Sequence, residues 1–541
     1  SKLTLISSLP NIVIPSWENN NGKAVLKLEV KEVSADLPVI LTVVTGTGAY
    51  NSMNFTVYKP ATIDRVEFVQ PDGAIASGDE EGRTKIEIIA YDQYGNKLDR
   101  YAIARAYNVD KTLQIYPLGT TAQIVGYVQP NGDDRGLYII KSVSGTGTVT
   151  LTAMVNGKTS SIDLEVREAR YQHHTTVKSE GPAKLLQGYS DETTTRVGAT
   201  SNIQLDIKDQ YDVTQNNAKF QTKYKVSVTK VSGDDGNGIT FETSGGTKLL
   251  LNEDGQFYED KDADGKYTQG TDSLKPITQL NNFNVRAGTN VVGEYKLTIE
   301  LINNEVTTGT WTKNFVVTDG KGENALTYEI ADIPVLYKHG VDEPDYAADI
   351  TLTAKDSDGN EVAVPTSLIS KISVKDNTIA NVDPAKLKVY GNYPSDTNLD
   401  ADKSTVVTVV LNTPSGTNVI AKEVTVSKDD IELVEIKVSQ NGTWRNKKNR
   451  NNDLLGDSSY KFELVDNFGK TTHFKSLNYV TFYITGPDGF YTELDKDDIN
   501  PEKPNTAFFV FAGEYPDKYN ITAVTYNGKV ATATYEIKDE N

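Results

Sequence analysis

One pattern constrains the fold of this chain more than any other: an alternating strand that runs into an aspartate-led turn, repeated four times. The copies read IEIIAYDQYGN at 86–96, IQLDIKDQYD at 203–212, ITLTAKDSDGN at 350–360 and YKFELVDNFGK at 460–470. In the first, Ile86, Ile88 and Ala90 alternate with Lys85, Glu87 and Ile89, the two-residue period of a half-buried strand. The turn has a local cause. An aspartate side chain can accept hydrogen bonds from backbone amides two residues on, and Gly95, Gly359 and Gly469 permit the positive φ that closes the loop. The aspartates Asp92, Asp209, Asp356 and Asp466 are spaced 117, 147 and 110 residues apart, and a period of about 110 residues suits a seven-stranded sandwich. Ordinary hairpin chemistry accounts for these aspartates without a metal.

The rest of the chain agrees. Val149, Leu151 and Ala153 alternate with threonines, and Asn-Gly pairs at 156–157 and 527–528 separate alternating runs; Asn-Gly is the strongest two-residue hairpin signal. No long segment repeats apolar residues at helical spacing between caps. The expectation is an all-β protein of tandem immunoglobulin-like β-sandwich domains, spanning 62–170, 171–320, 321–430 and 431–541. Residues 1–61 carry strands but no copy of the turn, and read as a partial or divergent β-domain.

Charge narrows the partners. Lysine and arginine total 55 against 74 aspartates and glutamates, a net charge of −19, which repels nucleic-acid phosphates and favours cations. No run approaches the roughly 18 apolar residues of a membrane span, and Ser1 opens on mixed sequence without a secretory leader, so a soluble, processed chain is expected. With no cysteine, disulfides, thiolate metal sites and cysteine nucleophiles are excluded. Four histidines remain: the neighbours His173 and His174, and the isolated His339 and His473. None has metalloprotease spacing or adjoins a nucleophile turn, and each reads as a solvated or structural histidine. Among the 74 acids no spacing singles out a catalytic acid and nucleophile, so the chain reads as a non-enzyme.

One segment carries specific chemistry. The second unit is longer than its neighbours, and the surplus coincides with an insertion at about 244–275 that contains NEDGQFYEDKDADGKYTQGTD, Asn252 to Asp272. Asp260, Asp262 and Asp264 alternate ahead of Gly265, matching positions one, three, five and six of a calcium loop, where a hard cation needs several oxygens at short range. Lys266 would offer its backbone carbonyl at position seven, and Thr268 a hydroxyl or a water at position nine. Position twelve, usually a glutamate, is Thr271, with Asp272 one place later. The flanks read as strands rather than helices, unlike an EF-hand. Asn252, Asp254 and Glu259 could complete the shell or form a second site. The competing reading is a solvated acidic hairpin screened by salt.

Weaker signals read mostly as surface. Arg445, Lys447, Lys448 and Arg450 beside Trp444 form a basic loop that could dock an acidic neighbouring copy. Acidic clusters at Asp79 to Glu81, Asp342 to Asp345 and Asp495 to Asp498 read as solvated turns. Trp17, Trp311 and Trp444 are too dispersed for a sugar-stacking platform.

Taken together, the tandem β-units, the DQYGN-type turns at 92–96 and 356–360, the acidic hairpin and the absence of cysteine resemble the self-assembly, or crystallisation, region of surface-layer (S-layer) proteins of Bacillus-like Gram-positive bacteria, built of immunoglobulin-like domains. The resemblance implies a structural protein at the extracellular face of a bacterial cell. It would assemble with other copies of itself into a two-dimensional lattice, often with calcium, and be held to the cell wall by anchoring domains absent from this sequence. DQYGN-like turns also occur in adhesin repeats, so a calcium-stiffened adhesin or cell-surface stalk is the alternative.

Overall fold

Stretches rich in valine, isoleucine, threonine and tyrosine fit a pleated, half-buried surface, and strands dominate the described residues. A computed structural model describes residues 3–20, 23–215, 222–233 and 238–439, and then 447–448, 454–455, 461–471, 480–486, 491–494, 518–525 and 528–536. Arg445, Arg450, Trp444, His473, Asn527 and the cluster Asp495 to Asp498 lie outside the described residues. The fold is all-β in tandem domains, and the chain divides into two units, 1–169 and 170–540.

In the first unit, the N-terminal residues build a three-stranded sheet from Thr4–Ser7, Leu37–Val44 and Tyr50–Val57, beside a hairpin of Val13–Asn20 and Lys23–Val30. Its core is small: Val13, Val33, Val39 and Val57. The next domain is larger. Strands Leu113–Gly119, Gly147–Val155, Lys158–Arg167 and Ile75–Ala76 form one sheet, and two three-stranded sheets complete it around Ile86, Ile88, Leu151 and Leu164. Asn156 and Gly157 sit at φ 48° and 73°, as a type I′ hairpin requires, and set the register Val155 opposite Lys158.

The unexpected element is a helix, Arg100–Asn108, in this second domain. Asp99 caps it by accepting from the Ala102 amide at 2.8 Å, and Ile103, Ala104 and Ala106 turn inward. Only nine residues long, it offers too few turns for its apolar stripe to stand out from the strands around it.

The second unit holds a seven-stranded sheet in the order Gln172–Glu180, Thr200–Asp209, Phe283–Ala287, Ile239–Thr243, Lys248–Leu251, Phe257–Glu259 and Ser273–Leu274. A five-stranded sheet faces it: Lys223–Gly233, Gly293–Asn303, Val306–Thr318, Lys184–Leu186 and Val362–Ala363. The last strand comes from beyond residue 320. Lys184 and Leu185 pair in parallel with Val362 and Ala363 on one side and with Val316 and Val317 on the other. One sheet therefore runs through two successive sandwiches, and one apolar core extends from Leu185 to Val426. Leu185 and Leu186 are fully buried at the junction, each contributing about 1.5–3 kcal/mol. The Tyr189 hydroxyl donates to the Asn412 carbonyl, Arg196 to the Ser367 carbonyl, and the Ser415 hydroxyl to the Gly320 carbonyl.

The four aspartate turns share one geometry. The first carboxylate oxygen accepts from the amides two and four residues on, at 2.8–3.0 Å: Tyr94 and Asn96, Tyr211 and Val213, Asp358 and Asn360, Phe468 and Lys470. The fourth position has φ 88°, 62°, 83° and 73° at Gly95, Asp212, Gly359 and Gly469. The second oxygen differs from copy to copy. It takes Asn96 at Asp92, Arg170 and Gln215 at Asp209, Asn360 and Lys184 at Asp356, and the Tyr346 hydroxyl at Asp466. Lys184 and Tyr346 stand 172 and 120 residues before the aspartates they bind. In the first unit Tyr94, inside its turn, likewise reaches back to donate to Asp36 at 2.6 Å.

Candidate metal centre

The acidic insertion extends the edge of the seven-stranded sheet. Leu250 and Leu251 pair with Tyr258 and Phe257, and Tyr258 and Glu259 pair with Leu274 and Ser273. Residues 260–272 are thus the connection between two paired strands, held at fixed ends. Phe257 and Tyr258 are buried beneath it, and Tyr267 packs edge-on against Tyr258 with ring centres 5.4 Å apart.

Inside the loop the aspartates fold the backbone around themselves. Gly265 donates its amide to Asp260 at 2.8 Å, and Lys266 donates to Asp264 at 2.7 Å. Ala263 and Gly265 adopt φ 61° and 78°. As a result one carboxylate oxygen from each of Asp260, Asp262 and Asp264 lies within 4.8 Å of the others. Among the described residues, this is the one group of three such side chains.

The charges bear on each other. Burial and the neighbouring carboxylates Asp264, Asp260 and Asp272 hold Asp262 above the ordinary carboxylate range, although the Asp264 amide pulls the other way. Burial also pushes Asp260 up, but the Gly265 amide and a hydrogen bond shared with Asp262 outweigh it and leave Asp260 below that range. Tyr258 is raised by burial first and then by all four aspartates, Asp260, Asp272, Asp264 and Asp262.

A hard divalent ion fits this arrangement. Calcium–oxygen distances of about 2.3–2.6 Å place ligand oxygens no more than about 5 Å apart, and the three carboxylates already satisfy that limit. In addition, Asp260 Oδ1 is buried and accepts no hydrogen bond, so a lone pair there is left for an ion. The other residues proposed from the sequence have separate places. Asp272 accepts from the amides of Lys261 at 3.0 Å and Thr268 at 2.6 Å, closing the loop at its base. Lys266 and Thr268 are fixed through their amides to Asp264 and Asp272. Glu259 is in an ion pair with Lys275 at 2.6 Å, which lowers its pKa. Asn252 accepts from the Gln256 amide at 2.8 Å, in the turn that also holds Asp254. The Glu259–Lys275 pair was not anticipated, and a basic residue directly after the closing strand Ser273–Leu274 is the signal that could have found it.

The other acidic clusters are used locally. Asp79 accepts from the Ala76 amide and faces Arg83 at 3.7 Å, Glu81 accepts from the Tyr127 hydroxyl, and Asp342 accepts from the Ser395 amide.

No protein-family model matches the chain, and no curated protein matches it. Solved structures do. The surface-layer protein SbsC, domains 4–9, is similar over 99% of this chain and 73% of its own, at 14% identity and a TM-score of 0.22. The S-layer protein rSbsC is similar over 78% of this chain and 47% of its own, at 15% identity and a TM-score of 0.34. Cadherin domains 3–6 of protocadherin gamma B2 are similar over 79% of this chain and 92% of their own, at 12% identity and a TM-score of 0.16. No helix among the described residues is long and apolar enough to cross a membrane.

Proposed function

We propose that this chain is the self-assembly region of a bacterial surface-layer protein, a structural component that tiles the outside of the cell as a two-dimensional lattice. The observation that carries this reading is the junction between 171–320 and 321–430. A shared sheet, a continuous core and the Lys184–Asp356 ion pair at 2.8 Å give these domains one fixed relation. A periodic array needs that rigidity, because unlike patches propagate a lattice only if every protomer presents them at the same angle.

Calcium at Asp260, Asp262 and Asp264 is the proposed control. The ion would neutralise three like charges and fix the loop's conformation, so that ordering of the insertion follows calcium concentration. Affinities of about 10⁻⁴–10⁻³ M are typical of extracellular modules, which makes millimolar calcium outside the cell sufficient and cytosolic calcium insufficient. A net charge of −19 adds a reason: copies of an acidic chain approach one another more readily when cations are present. Wall attachment belongs, on this reading, to other domains.

The test is sedimentation with electron microscopy of the purified chain, first in chelator and then at rising calcium, beside a variant carrying Asp260→Asn, Asp262→Asn and Asp264→Asn. Ordered sheets in the parent, with none in the variant, are expected. Sheets from both would remove calcium control while keeping the lattice. A monomer under every condition would replace the lattice with the stalk.

A further inference from the structure

The second copy of the aspartate turn departs from the other three at one position, and the departure bears on a pair of histidines. Where the other copies have glycine at the fourth position, this one has Asp212 at φ 62°. A non-glycine residue there costs about 1 kcal/mol or more. Asp212 directs its carboxylate to His174, with Oδ1 3.1 Å from Nε2. The neighbouring strand, Gln172–Glu180, carries a bulge of the kind that also stands opposite Asp92 and Asp466. Its pairing with Thr200–Asp209 slips between Gln172, opposite Asp209, and His174, opposite Lys208. Adjacent residues of a regular strand point to opposite faces, but a bulge re-aims one of them. His173 and His174 instead bring their Nδ1 atoms 3.2 Å apart, with the rings nearly perpendicular at 84°.

We infer that His173 and His174 form a binding site for a divalent transition-metal ion, of which zinc is the reference case. Metal–nitrogen bonds of about 2.0–2.1 Å at a tetrahedral angle set two imidazole nitrogens about 3.3 Å apart, the separation already present. The ion takes Nδ1 of both rings, and water fills its remaining positions. Asp212 is the positioning residue. As acceptor from His174 Nε2–H it selects the tautomer whose Nδ1 lone pair is free for metal, the carboxylate–histidine arrangement common behind metal ligands. This site is separate from the acidic loop in chemistry as well as in sequence, since imidazole nitrogen suits zinc, nickel and copper whereas carboxylate oxygen suits calcium. Without metal, the same 3.2 Å contact is one N–H···N hydrogen bond between the rings.

The experiment is calorimetric titration of the full chain with zinc chloride in a non-chelating buffer, using the Asp260→Asn, Asp262→Asn, Asp264→Asn background so that no heat comes from the acidic loop. One zinc per chain is expected, lost on His173→Gln and on His174→Gln. Asp212→Gly separates positioning from structure. It should weaken zinc about tenfold, in the range for loss of such a supporting carboxylate, while relieving the backbone strain and raising the melting temperature. Long-range ¹H–¹⁵N spectra give a second readout, because only four histidines are present and two should shift together on adding zinc. Absence of zinc binding in the parent, binding that survives both histidine variants, or an Asp212→Gly variant with unchanged affinity would overturn the assignment.

Discussion

Asp209 ends one strand and Asp260 follows another of the same sheet, and both fold the next few residues around a carboxylate, yet their charges are met in different ways. Asp209 is fully buried, and both of its oxygens are satisfied: Oδ1 by the amides of Tyr211 and Val213, Oδ2 by Arg170 at 2.7 Å and Gln215 at 2.6 Å. Burial pushes its pKa up, and Arg170 with the two amides more than reverses this. Asp260 accepts from the Gly265 amide on Oδ2 and shares a hydrogen bond with Asp262, but its Oδ1 has no partner, and its nearest charged neighbours share its sign. A carboxylate with a built counter-charge needs no ion. One that gathers two more carboxylates and leaves a buried oxygen without a hydrogen bond is the one for which we propose an ion.

The most severe way to break this comparison is Arg170→Leu. It leaves the Asp209 charge buried without its cation, and removing one partner of a buried pair costs about 3–5 kcal/mol. Urea unfolding should show that loss irrespective of calcium. A change under about 1 kcal/mol would place Asp209 with exposed pairs and erase the distinction. At the loop, Asp260→Asn, Asp262→Asn and Asp264→Asn together should behave oppositely. Without calcium the variant should be as stable as the parent. With calcium at 10 to 100 times its dissociation constant, the parent should gain about 1.4–2.7 kcal/mol, and the variant nothing. Calorimetric melting in chelator and in calcium measures both.

Acid separates the two classes by charge state. In the folded protein Asp356 is held well below the ordinary range by Lys184 first, and Asp209 and Asp92 are held below it despite their burial. The unfolded chain, with carboxylates near pKa 3.9, takes up protons first as pH falls. The stabilisation from these turns is therefore complete above that value and is lost as pH drops through it towards the depressed folded values. Asp356→Asn should flatten the loss of stability between about pH 5 and pH 2 as followed by urea unfolding. An unchanged slope would mean that the Lys184–Asp356 pair does not contribute to the junction.

What could be read from the sequence follows the range of each interaction. The aspartate turns and the Asn156-Gly157 hairpin were legible because every bond that defines them lies within five residues. Asp260, Asp262, Asp264 and Gly265 were legible for the same reason. The parallel pairing of Lys184 with Val362 was not, because it joins residues far apart in sequence and neither strand exceeds three residues. Nor was the reach of Tyr346 to Asp466: a tyrosine between strands carries no sign of which carboxylate it will meet. The histidine pair was half legible, since adjacency is visible but the bulge that brings the rings to one side depends on the partner strand.

The finest test uses one substitution in two places. Gly359 closes the Asp356 turn at φ 83° and Gly265 lies in the acidic loop at φ 78°, and a Cβ built on either meets no atom within 4 Å. Alanine at each position therefore carries the cost of a left-handed backbone, about 1 kcal/mol, and no steric penalty. The same cost should surface in different measurements. Gly359→Ala strains a turn whose aspartate is tied to Lys184, so it should lower the unfolding free energy by about 1 kcal/mol with or without calcium. Gly265→Ala strains a loop whose conformation the proposed ion would secure, so the energy should appear as calcium affinity about fivefold weaker, with little change of stability in chelator. If Gly265→Ala destabilised the chelated protein as much as Gly359→Ala does, the loop would be as much a part of the scaffold as the turn. The contrast between Asp209 and Asp260 would then be one of solvent exposure alone.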